Sequence, residues 1–330
     1  MTRPAFGRVA PEHWRTSGAS APDREPVTAR IAVDLLGGDH APAVVVDGAL
    51  RACQADPALH LLLVGPTDAA GALLAALDPA DRARVTTLAL SKEPDAESGV
   101  RAAVLAVAQG AADAVVSAGN TGATVTSAAL SLGRWPGVRR PPLAAVLPTG
   151  SGRLILLDVG SSVDPDAPTL ATHARLGAAY AAVVHEIVEP RVGLLTIGTE
   201  PGKGDRLRRE LPRILSRLAL PAGARYAGLV EGNDVVLGAA ADVVVTDGFT
   251  GNVLLKGLET AYARIGPPGP PELAPPRAAI LLGVDGIVVV CHGAAASPDV
   301  AAGIALAAVL HRRAAVAAIE EMINEVSHDE

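Results

Sequence analysis

The chain has 330 residues and a formal net charge of −7 at pH 7, and its 49% hydrophobic residues supply a large core. Aromatic residues make up only 2% and the charge balance is acidic, which argues against nucleic acid as a partner. The two cysteines, Cys53 and Cys291, are too few for a disulfide framework and favour a reducing, cytoplasmic setting.

Residues 1–30 mix Arg, Pro, Gly and Ser and contain no sustained apolar run. They therefore have neither the apolar core of a signal peptide nor a membrane span. We expect a disordered tail here and one catalytic domain over residues 31–330.

Short apolar runs alternate with helical stretches along the rest of the chain. This alternation predicts an α/β fold whose mostly parallel sheet has helices on both faces, and the turn-rich segment 148–152 adds an antiparallel hairpin. The Pro-rich segment 265–276 predicts an exposed linker. Strands are predicted at 31–35, 61–65, 85–90, 114–116, 143–147, 154–159, 192–197, 226–230, 243–245 and 286–290, and the longer helices at 44–52, 69–77, 99–110, 169–188, 207–218, 253–259 and 299–326.

Two Gly-rich turns follow predicted strands and precede predicted helices: S-A-G-N-T-G-A-T at 117–124 and T-D-G-F-T-G-N at 246–252. Such turns direct backbone N–H groups at one point and let a ligand approach the main chain, so the pair could form opposite walls of one anion site. The alternative is that both are ordinary connections from strand to helix.

Polar, Gly-flanked turns follow seven apolar runs in all. Because ligands of α/β sheets collect at the carboxyl ends of the strands, we expect several of these turns to line a shared cleft. They lie at 34–40, 117–123, 158–164, 199–204, 231–234, 247–252 and 292–293.

Two lysines and two histidines in or near these turns are candidates for chemistry. Lys203 or Lys256 could supply positive charge to a phosphate, whereas His40 or His292 could transfer a proton or donate a hydrogen bond to an oxyanion. Solvated loop charges and loop caps remain the alternatives. The sequence lacks G-x-x-x-x-G-K-[ST], G-x-S-x-G, G-x-G-x-x-G and H-E-x-x-H motifs, which disfavours a P-loop hydrolase, a serine esterase, a dinucleotide site and a zinc site.

Ordered motifs identify a family resemblance. They include A-V-D-L-L-G-G-D-H-A-P at 32–42, S-A-G-N-T-G-A at 117–123, G-T-E-P-G-K-G at 198–204 and T-D-G-F-T-G-N-V-L-L-K at 246–256. Together with L-L-D-V-G-S-S-V-D, V-E-G-N-D and H-G, they resemble the PlsX family of phosphate acyltransferases from residue 31 to the closing helix.

The resemblance implies transfer of a fatty acyl group from acyl carrier protein to inorganic phosphate, which gives acyl phosphate for phospholipid synthesis. It also implies an isocitrate/isopropylmalate-dehydrogenase-like fold, a homodimer, peripheral membrane contact and no cofactor or metal. Phosphate is itself the nucleophile, so the site needs only positioning, counter-charge and donors to an oxyanion. Two arginine groups could dock the acidic carrier protein, namely Arg134, Arg139 and Arg140, and Arg206, Arg208 and Arg209. The alternative is that they are solvated surface charge.

The candidate site residues combine the turn positions and the family motifs. Those expected to act in catalysis are Asp39, His40, Asn120, Lys203, Asn252, Lys256 and His292. Those expected to bind substrate are Asp34, Gly37, Gly38, Ser117, Gly119, Thr121, Gly122, Asp158, Gly202, Asn233, Asp247, Gly248, Thr250 and Gly251.

The chain departs from the family pattern at four places, which keeps two alternatives open. The segment before Ser98 is shortened, G-S-S replaces G-A-N at 160–162, the Pro-rich segment replaces a pair of helices, and R-A-A replaces G-G-A at 277–279. One alternative is a phosphate acetyl- or butyryltransferase that uses acyl-coenzyme A. The other is a degenerate homologue that binds carrier protein without turnover.

Overall fold

The computed structural model describes residues 27–90, 95, 97–200, 202–268 and 277–328. Most of the predicted N-terminal tail and most of the Pro-rich segment lie outside the described residues, as does most of the shortened segment before Ser98.

The described residues form eleven strands, eleven α-helices and one short 3-10 helix, and strands and helices mostly alternate along the chain. The strands are β1 (Ala29–Asp34), β2 (Leu59–Gly65), β3 (Val85–Ala89), β4 (Ala114–Ser117), β5 (Leu143–Thr149), β6 (Gly152–Leu157), β7 (Arg191–Leu195), β8 (Arg225–Val230), β9 (Val243–Val245), β10 (Ala278–Leu281) and β11 (Ile287–Cys291). The helices are α1 (Ala43–Ala55), α2 (Thr67–Ala76), α3 (Pro79–Arg82), α4 (Ser98–Ala108), α5 (Thr121–Ser131), α6 (Ala167–His185), α7 (Arg206–Leu215), α8 (Gly232–Leu237), α9 (Gly248–Ile265), α10 (Ser297–Arg312) and α11 (Ala315–His328).

All the strands belong to one sheet with the order β3-β2-β1-β4-β11-β10-β5-β6-β9-β7-β8. Most neighbouring pairs are parallel, and helices cover both faces, so the predicted fold class is confirmed. The β5–β6 pair is antiparallel, as the turn at 148–152 predicts, with Ala145 opposite Leu156. Strand β10, which the sequence pattern does not separate from its neighbours, is antiparallel to both β11 and β5.

This strand order corrects one expectation about the polar turns. The strand direction reverses three times across the sheet, from β11 to β10, from β10 to β5 and from β5 to β6, so β6, β9, β7 and β8 run opposite to β1–β4 and β11. The carboxyl ends of the strands in the two parallel halves therefore point in opposite directions. The seven turns form two separate groups at opposite ends of the strands.

The two faces of the sheet carry different helices and are packed differently. Helices α1, α6, α10 and α11 bury apolar side chains on one face, whereas α4, α5 and α9 lie on the other. Along α9 only Gly248 and Gly251 are buried. This helix starts beside the end of β9 and crosses the sheet toward the end of β11, so it connects the two groups of turns.

The predicted closing helix over 299–326 is wrong as a single element. Helix α10 ends at Arg312 and α11 begins at Ala315, with a bend of 57° between them. Ala314 takes a left-handed φ of 49° at the break, and Arg313 donates a hydrogen bond to the carbonyl of Val184 on α6. Packing of α11 against α6 thus overrides the continuous helical propensity of this Ala-rich stretch.

No single helix among the described residues has the length and apolar character to cross a membrane, and only the bent pair of α10 and α11 reaches both criteria, by length and composition alone.

Candidate active site

The first group of turns lies at the ends of β1, β4 and β11. Ser117 Oγ donates to Asp34 Oδ2 over 2.7 Å, and the backbone N–H of Gly119 donates to Ser117 Oγ over 3.0 Å. Burial raises the pKa of Asp34, although hydrogen bonds from Ser117 and Leu36 oppose the rise. A Cβ at Gly37 would lie 2.5 Å from the nitrogen of Gly119. These contacts join the β1 and β4 turns and engage the polar atoms of Asp34 and Ser117 internally.

The turn after β1 also contacts the turn after β11. The N–H of Asp39 donates to the carbonyl of Gly293 over 2.8 Å, and a Cβ at Gly38 would lie 3.2 Å from the same oxygen. The side chains of Asp39 and His40 are exposed. These backbone contacts fix the position of the turn that carries His292 at the end of β11.

The first Gly-rich turn divides between two surfaces. Asn120 caps the N-terminus of α5, where its Oδ1 accepts the N–H of Ala123 over 2.9 Å. Asn120 and Gly122 line a groove between α4 and α5, whereas Thr121 lines a cavity under α9. The neighbouring residues of one motif thus face different surroundings.

The second group of turns lies at the ends of β6, β9, β7 and β8, and the turns after β6 and β9 adjoin α9. Asp158 accepts N–H groups from Gly160, Ser161 and Ser162 at 3.1, 3.0 and 2.6 Å. A Cβ at Gly251 would lie 1.9 Å from the carbonyl oxygen of Asp158, so α9 approaches this turn too closely for any side chain at that position. The carboxylate of Asp158 organises the loop on which α9 begins.

Asp247 caps α9 and holds a buried arginine. It accepts the N–H and the hydroxyl of Thr250, both over 2.8 Å, and pairs with Arg208. Burial acts to raise the pKa of Asp247, but the hydrogen bonds from Thr250 and Arg208 outweigh it and the pKa is lowered. Arg208 is only 8% exposed, so the expectation that it docks a carrier protein is wrong.

Of the candidate site residues, Thr121, Asn252, Lys256 and His292 line the cavity under α9, and the others do not. Three of those others lie on turns farther along the sheet. Gly202 and Lys203 are exposed in the turn before α7, and Asn233 is exposed at the start of α8. None of them lines the cavity. Their roles stay predictions from the family motif.

The cavity has a volume of about 330 Å³ and lies between α9 and the sheet. Helix α9 contributes residues three or four positions apart, which share one helical face. Residues of β5 and β10 form the opposite wall. The α9 residues are Asn252, Leu255, Lys256, Glu259, Tyr262 and Ala263, and the β5 residues include Leu143, Ala145 and Leu147.

Polar side chains gather on one side of this largely apolar cavity. Lys256 Nζ contacts His292 Nε2, and Glu259 Oε2 lies 3.6 Å from the same nitrogen. The other ring nitrogen, Nδ1, accepts the N–H of Ala294 over 3.0 Å. Asn252 donates one amide hydrogen to the carbonyl of Val159 over 3.0 Å, which leaves its second hydrogen for a ligand. Residues from both groups of turns therefore meet along α9.

Sequence reasoning missed Glu259 and Tyr262. Both follow Lys256 on the same face of α9, and the hydroxyl of Tyr262 donates to the carbonyl of Pro148 over 3.3 Å. The spacing of three and then three residues from Lys256 is a helical signal that was present in the sequence. Glu259 already lay within the predicted helix 253–259, whereas Tyr262 could be included only after the helix was known to extend to Ile265.

Cys291 lines the cavity but is not suited to act as a nucleophile. Burial, with a smaller contribution from Asp299, raises the pKa of Cys291 to about 12, so its thiol is protonated at neutral pH. The described part of the chain has no group of three or more His, Cys, Asp or Glu side chains arranged to hold a metal ion.

Comparison with known proteins shows to which family the chain belongs. The model of the family described as "Fatty acid synthesis protein" matches residues 29–266. A phosphate acyltransferase from Thermobifida fusca is 41% identical over 333 residues, which cover 89% of each chain. The chain belongs to this family. The resemblance drawn from the sequence motifs is thereby confirmed.

Solved structures support the fold. EutD phosphotransacetylase from Staphylococcus aureus matches with a TM-score of 0.59 at 17% identity over 86% of this chain and 94% of its own. 4-Hydroxythreonine-4-phosphate dehydrogenase from Klebsiella pneumoniae matches with a TM-score of 0.54 at 16% identity over 88% and 100% of the two chains. At these identities the likeness concerns the fold alone, and it agrees with the dehydrogenase-like fold that the resemblance implies.

Proposed function

We propose that the chain transfers a fatty acyl group from acyl carrier protein to inorganic phosphate and releases acyl phosphate for phospholipid synthesis. Family membership and the phosphate acyltransferase from Thermobifida fusca support this activity. The observation that carries it is the cavity under α9, where an apolar wall suited to an acyl chain adjoins the polar side chains of Lys256, His292 and Asn252.

The reaction balances without a protein nucleophile. A phosphate oxygen attacks the thioester carbonyl carbon, and the π electrons of the carbonyl move to its oxygen. Collapse of this tetrahedral oxyanion breaks the C–S bond and releases the carrier thiolate, which takes the proton that HPO₄²⁻ brings. The protein's task is to hold phosphate against the thioester carbonyl and to stabilise the oxyanion, which positioned donors achieve.

The arrangement of the cavity suggests a division of roles. Lys256 supplies the counter-charge for phosphate, and Thr121 and Asn252 bring further hydrogen-bond donors to the same cavity. The acyl chain lies against Leu143, Ala145 and their neighbours on β5. At about 0.8 kcal/mol for each buried methylene, this wall contributes appreciably to binding of a fatty chain.

The acyl-coenzyme A alternative has one supporting observation, the fold likeness to a phosphotransacetylase. The degenerate alternative rests on the four departures from the family pattern. One assay separates the three: purified protein is incubated with phosphate and either palmitoyl-acyl-carrier-protein or acetyl- or butyryl-coenzyme A, and acyl phosphate is trapped with hydroxylamine.

We expect acyl phosphate from the carrier-protein thioester and at least tenfold less from either coenzyme A thioester. The reverse preference would assign the coenzyme A activity. Binding of carrier protein by titration without acyl phosphate from any donor would assign the degenerate reading and overturn the proposal.

For partners we propose a homodimer that docks carrier protein and contacts a membrane peripherally. Exposed arginines at 134, 139, 140, 206 and 209 offer basic surface for an acidic carrier. Phe249, Val253 and Ile265 of α9 are 63%, 59% and 83% exposed and offer apolar surface for a second copy or a lipid layer. Sedimentation in detergent-free buffer measures the dimer, which a monomer mass at micromolar concentration would contradict.

A further inference from the structure

Arg277 lies at the start of β10, on the face of the sheet that the cavity occupies. In the antiparallel ladder Ala278 pairs with Cys291, so one step beyond this pair places Arg277 opposite His292. Directly opposite residues of an antiparallel pair share a face, with Cβ atoms about 5 Å apart. Arg277 and His292 both line the cavity. The two side chains therefore leave the sheet toward the same cavity.

Among the described residues the guanidinium of Arg277 has an ion pair but no hydrogen bond. The pair joins it to Asp299 Oδ2 over 3.9 Å, which exceeds hydrogen-bond distance, and that oxygen already accepts the N–H of Ala296 over 2.9 Å. By contrast, Arg191 at the start of β7 donates two hydrogen bonds to Asp242, over 3.0 and 2.9 Å. The planar fork of Arg277 thus keeps its donors for a ligand.

The charges that line the cavity leave a dianion short of positive charge without Arg277. Lys256 contacts Nε2 of His292, and Glu259 Oε2 lies 3.6 Å from the same nitrogen. The single charges of Lys256 and Glu259 cancel, so this cluster alone offers HPO₄²⁻ little net attraction. Arg277 is the one further cation among the described residues of the cavity lining and leaves that lining with one net positive charge.

From this placement we propose that Arg277 binds the phosphate substrate, with two guanidinium N–H groups on two of its oxygens. The planar fork of arginine matches the spacing of phosphate oxygens, which two parallel hydrogen bonds then hold. The inference rests on the proposed phosphate acyl transfer and names the side chain that recognises its nucleophile. Arg277 begins the R-A-A segment that departs from the family pattern, and it is not among the site residues that the sequence predicts.

A binding measurement tests this contact without turnover. Phosphate is titrated into the full chain in the absence of any thioester, and ³¹P line broadening gives the Kd. We expect Arg277→Met to raise the Kd at least tenfold, because hydrogen bonds between charged groups are lost, and Arg277→Lys to recover part of that loss through its charge. Arg264→Met removes an exposed cation of α9 outside the cavity lining and should stay within about twofold. An unchanged Kd in Arg277→Met, or no saturable binding by the wild-type protein, would overturn the inference.

The Asp299→Asn variant separates phosphate binding from a structural role of Arg277. Asparagine keeps an acceptor for the N–H of Ala296 but removes the carboxylate charge beside the guanidinium. We therefore expect Asp299→Asn to bind phosphate at least as tightly as wild type. If Arg277 served only to hold the start of α10 through Asp299, both variants would weaken phosphate binding alike, and that result would contradict the proposal.

Steady-state rates distinguish phosphate from the acidic carrier protein as the partner of Arg277. With palmitoyl-acyl-carrier-protein as donor, we expect Arg277→Met to raise KM for phosphate about tenfold or more and to change KM for the carrier protein less than about twofold. A loss confined to KM for the carrier protein would assign Arg277 to docking and overturn the inference. If the wild-type protein forms no acyl phosphate from any thioester, the proposed function fails, and the phosphate titration still decides the role of Arg277.

Discussion

The two Gly-rich turns share the letters T-G but use them differently. In the first turn Asn120 caps α5, so Thr121 and Gly122 are the first two residues of that helix; in the second, Asp247 caps α9, and Thr250 and Gly251 are the third and fourth residues of their helix. One turn of an α-helix takes about 3.6 residues, so a shift of two residues rotates the T-G pair by more than half a turn about the helix axis.

The helices that follow differ as well. Helix α5 buries Thr124, Ser127 and Ala128 against the sheet and α4, whereas α9 buries only two glycines and leaves a cavity beneath it. The first turn is thus mainly a structural junction, and the second begins the helix that carries the candidate chemistry. Similar letters do not imply a similar environment.

The largest expected difference between the turns concerns their caps. Asp247→Ala removes the cap of α9 and leaves the buried Arg208 with Asp205 as its one remaining carboxylate partner among the described residues, so we expect a loss of about 3 to 5 kcal/mol in the free energy of unfolding. Asn120→Ala removes an exposed cap and is expected to lose about 1 kcal/mol. Urea denaturation of both variants measures the comparison, and equal losses would contradict it.

Glycine substitutions give a second large contrast. A Cβ at Gly251 would meet the backbone oxygen of Asp158 at 1.9 Å, whereas one at Gly122 would meet the side chain of Asn120 at 3.2 Å. We expect Gly251→Ala to destabilise the protein by about 3 kcal/mol and Gly122→Ala to stay within about 1 kcal/mol of wild type. Gly257→Ala, at an α9 position with open space around it, is the control. A stable Gly251→Ala protein would mean that α9 lies farther from the β6 turn.

The two asparagines are expected to differ in catalysis. Asn252 lines the cavity and Asn120 lines the α4–α5 groove. Loss of one positioned donor is worth about a hundredfold in turnover, so we expect that decrease for Asn252→Ala and less than about tenfold for Asn120→Ala. Initial rates of acyl phosphate formation decide the order. A larger loss in the Asn120 variant would show instead that the first turn belongs to the reaction centre.

The aspartate cap of a third helix, Asp166 on α6, supplies the smallest expected effect. Hydrogen bonds from Thr169, with a further one from Arg139, lower the pKa of Asp166 to about 2. A lowered pKa contributes stability above the unfolded value of 3.8 and loses it as pH falls toward 2.

We expect Asp166→Ala to destabilise the protein by about 1 kcal/mol at pH 6, because a cap is lost from an exposed helix end. Urea titrations at pH 6 and pH 3 test the sign. The difference from wild type should shrink at the lower pH, and a difference that grows there would contradict the assignment.

The sequence predicted the parts of the fold that depend on local signals. Apolar runs located most strands, and the turn at 148–152 located the antiparallel hairpin. The reversal at β10 depends on pairing of Ala279 with Val290 of the next strand, β11, on one side and with Ala145 of the distant strand β5 on the other. No local pattern specifies such a pairing, so the separation of the turns into two groups could not be predicted.

The candidate site was predictable in part for the same reason. The Gly-rich turns and family motifs indicated Asn252, Lys256 and His292, and the structure brings these side chains to one cavity. Glu259 was missed because its relation to His292 depends on where α9 crosses the sheet. The buried pairing of Arg208 with Asp247 was also missed, since the sequence shows a run of surface-type charges at 206–209.

The central claim is that phosphate and the acyl group react in the cavity under α9, where Lys256 connects the two groups of turns. The most direct measurement compares Lys256→Met with Arg264→Met, an exposed cation two turns further along α9. With palmitoyl-acyl-carrier-protein as donor and phosphate varied, we expect Lys256→Met to lower kcat/KM for phosphate by about a hundredfold or more and Arg264→Met to stay within about twofold. Wild-type kcat/KM in a folded Lys256→Met protein would contradict the claim.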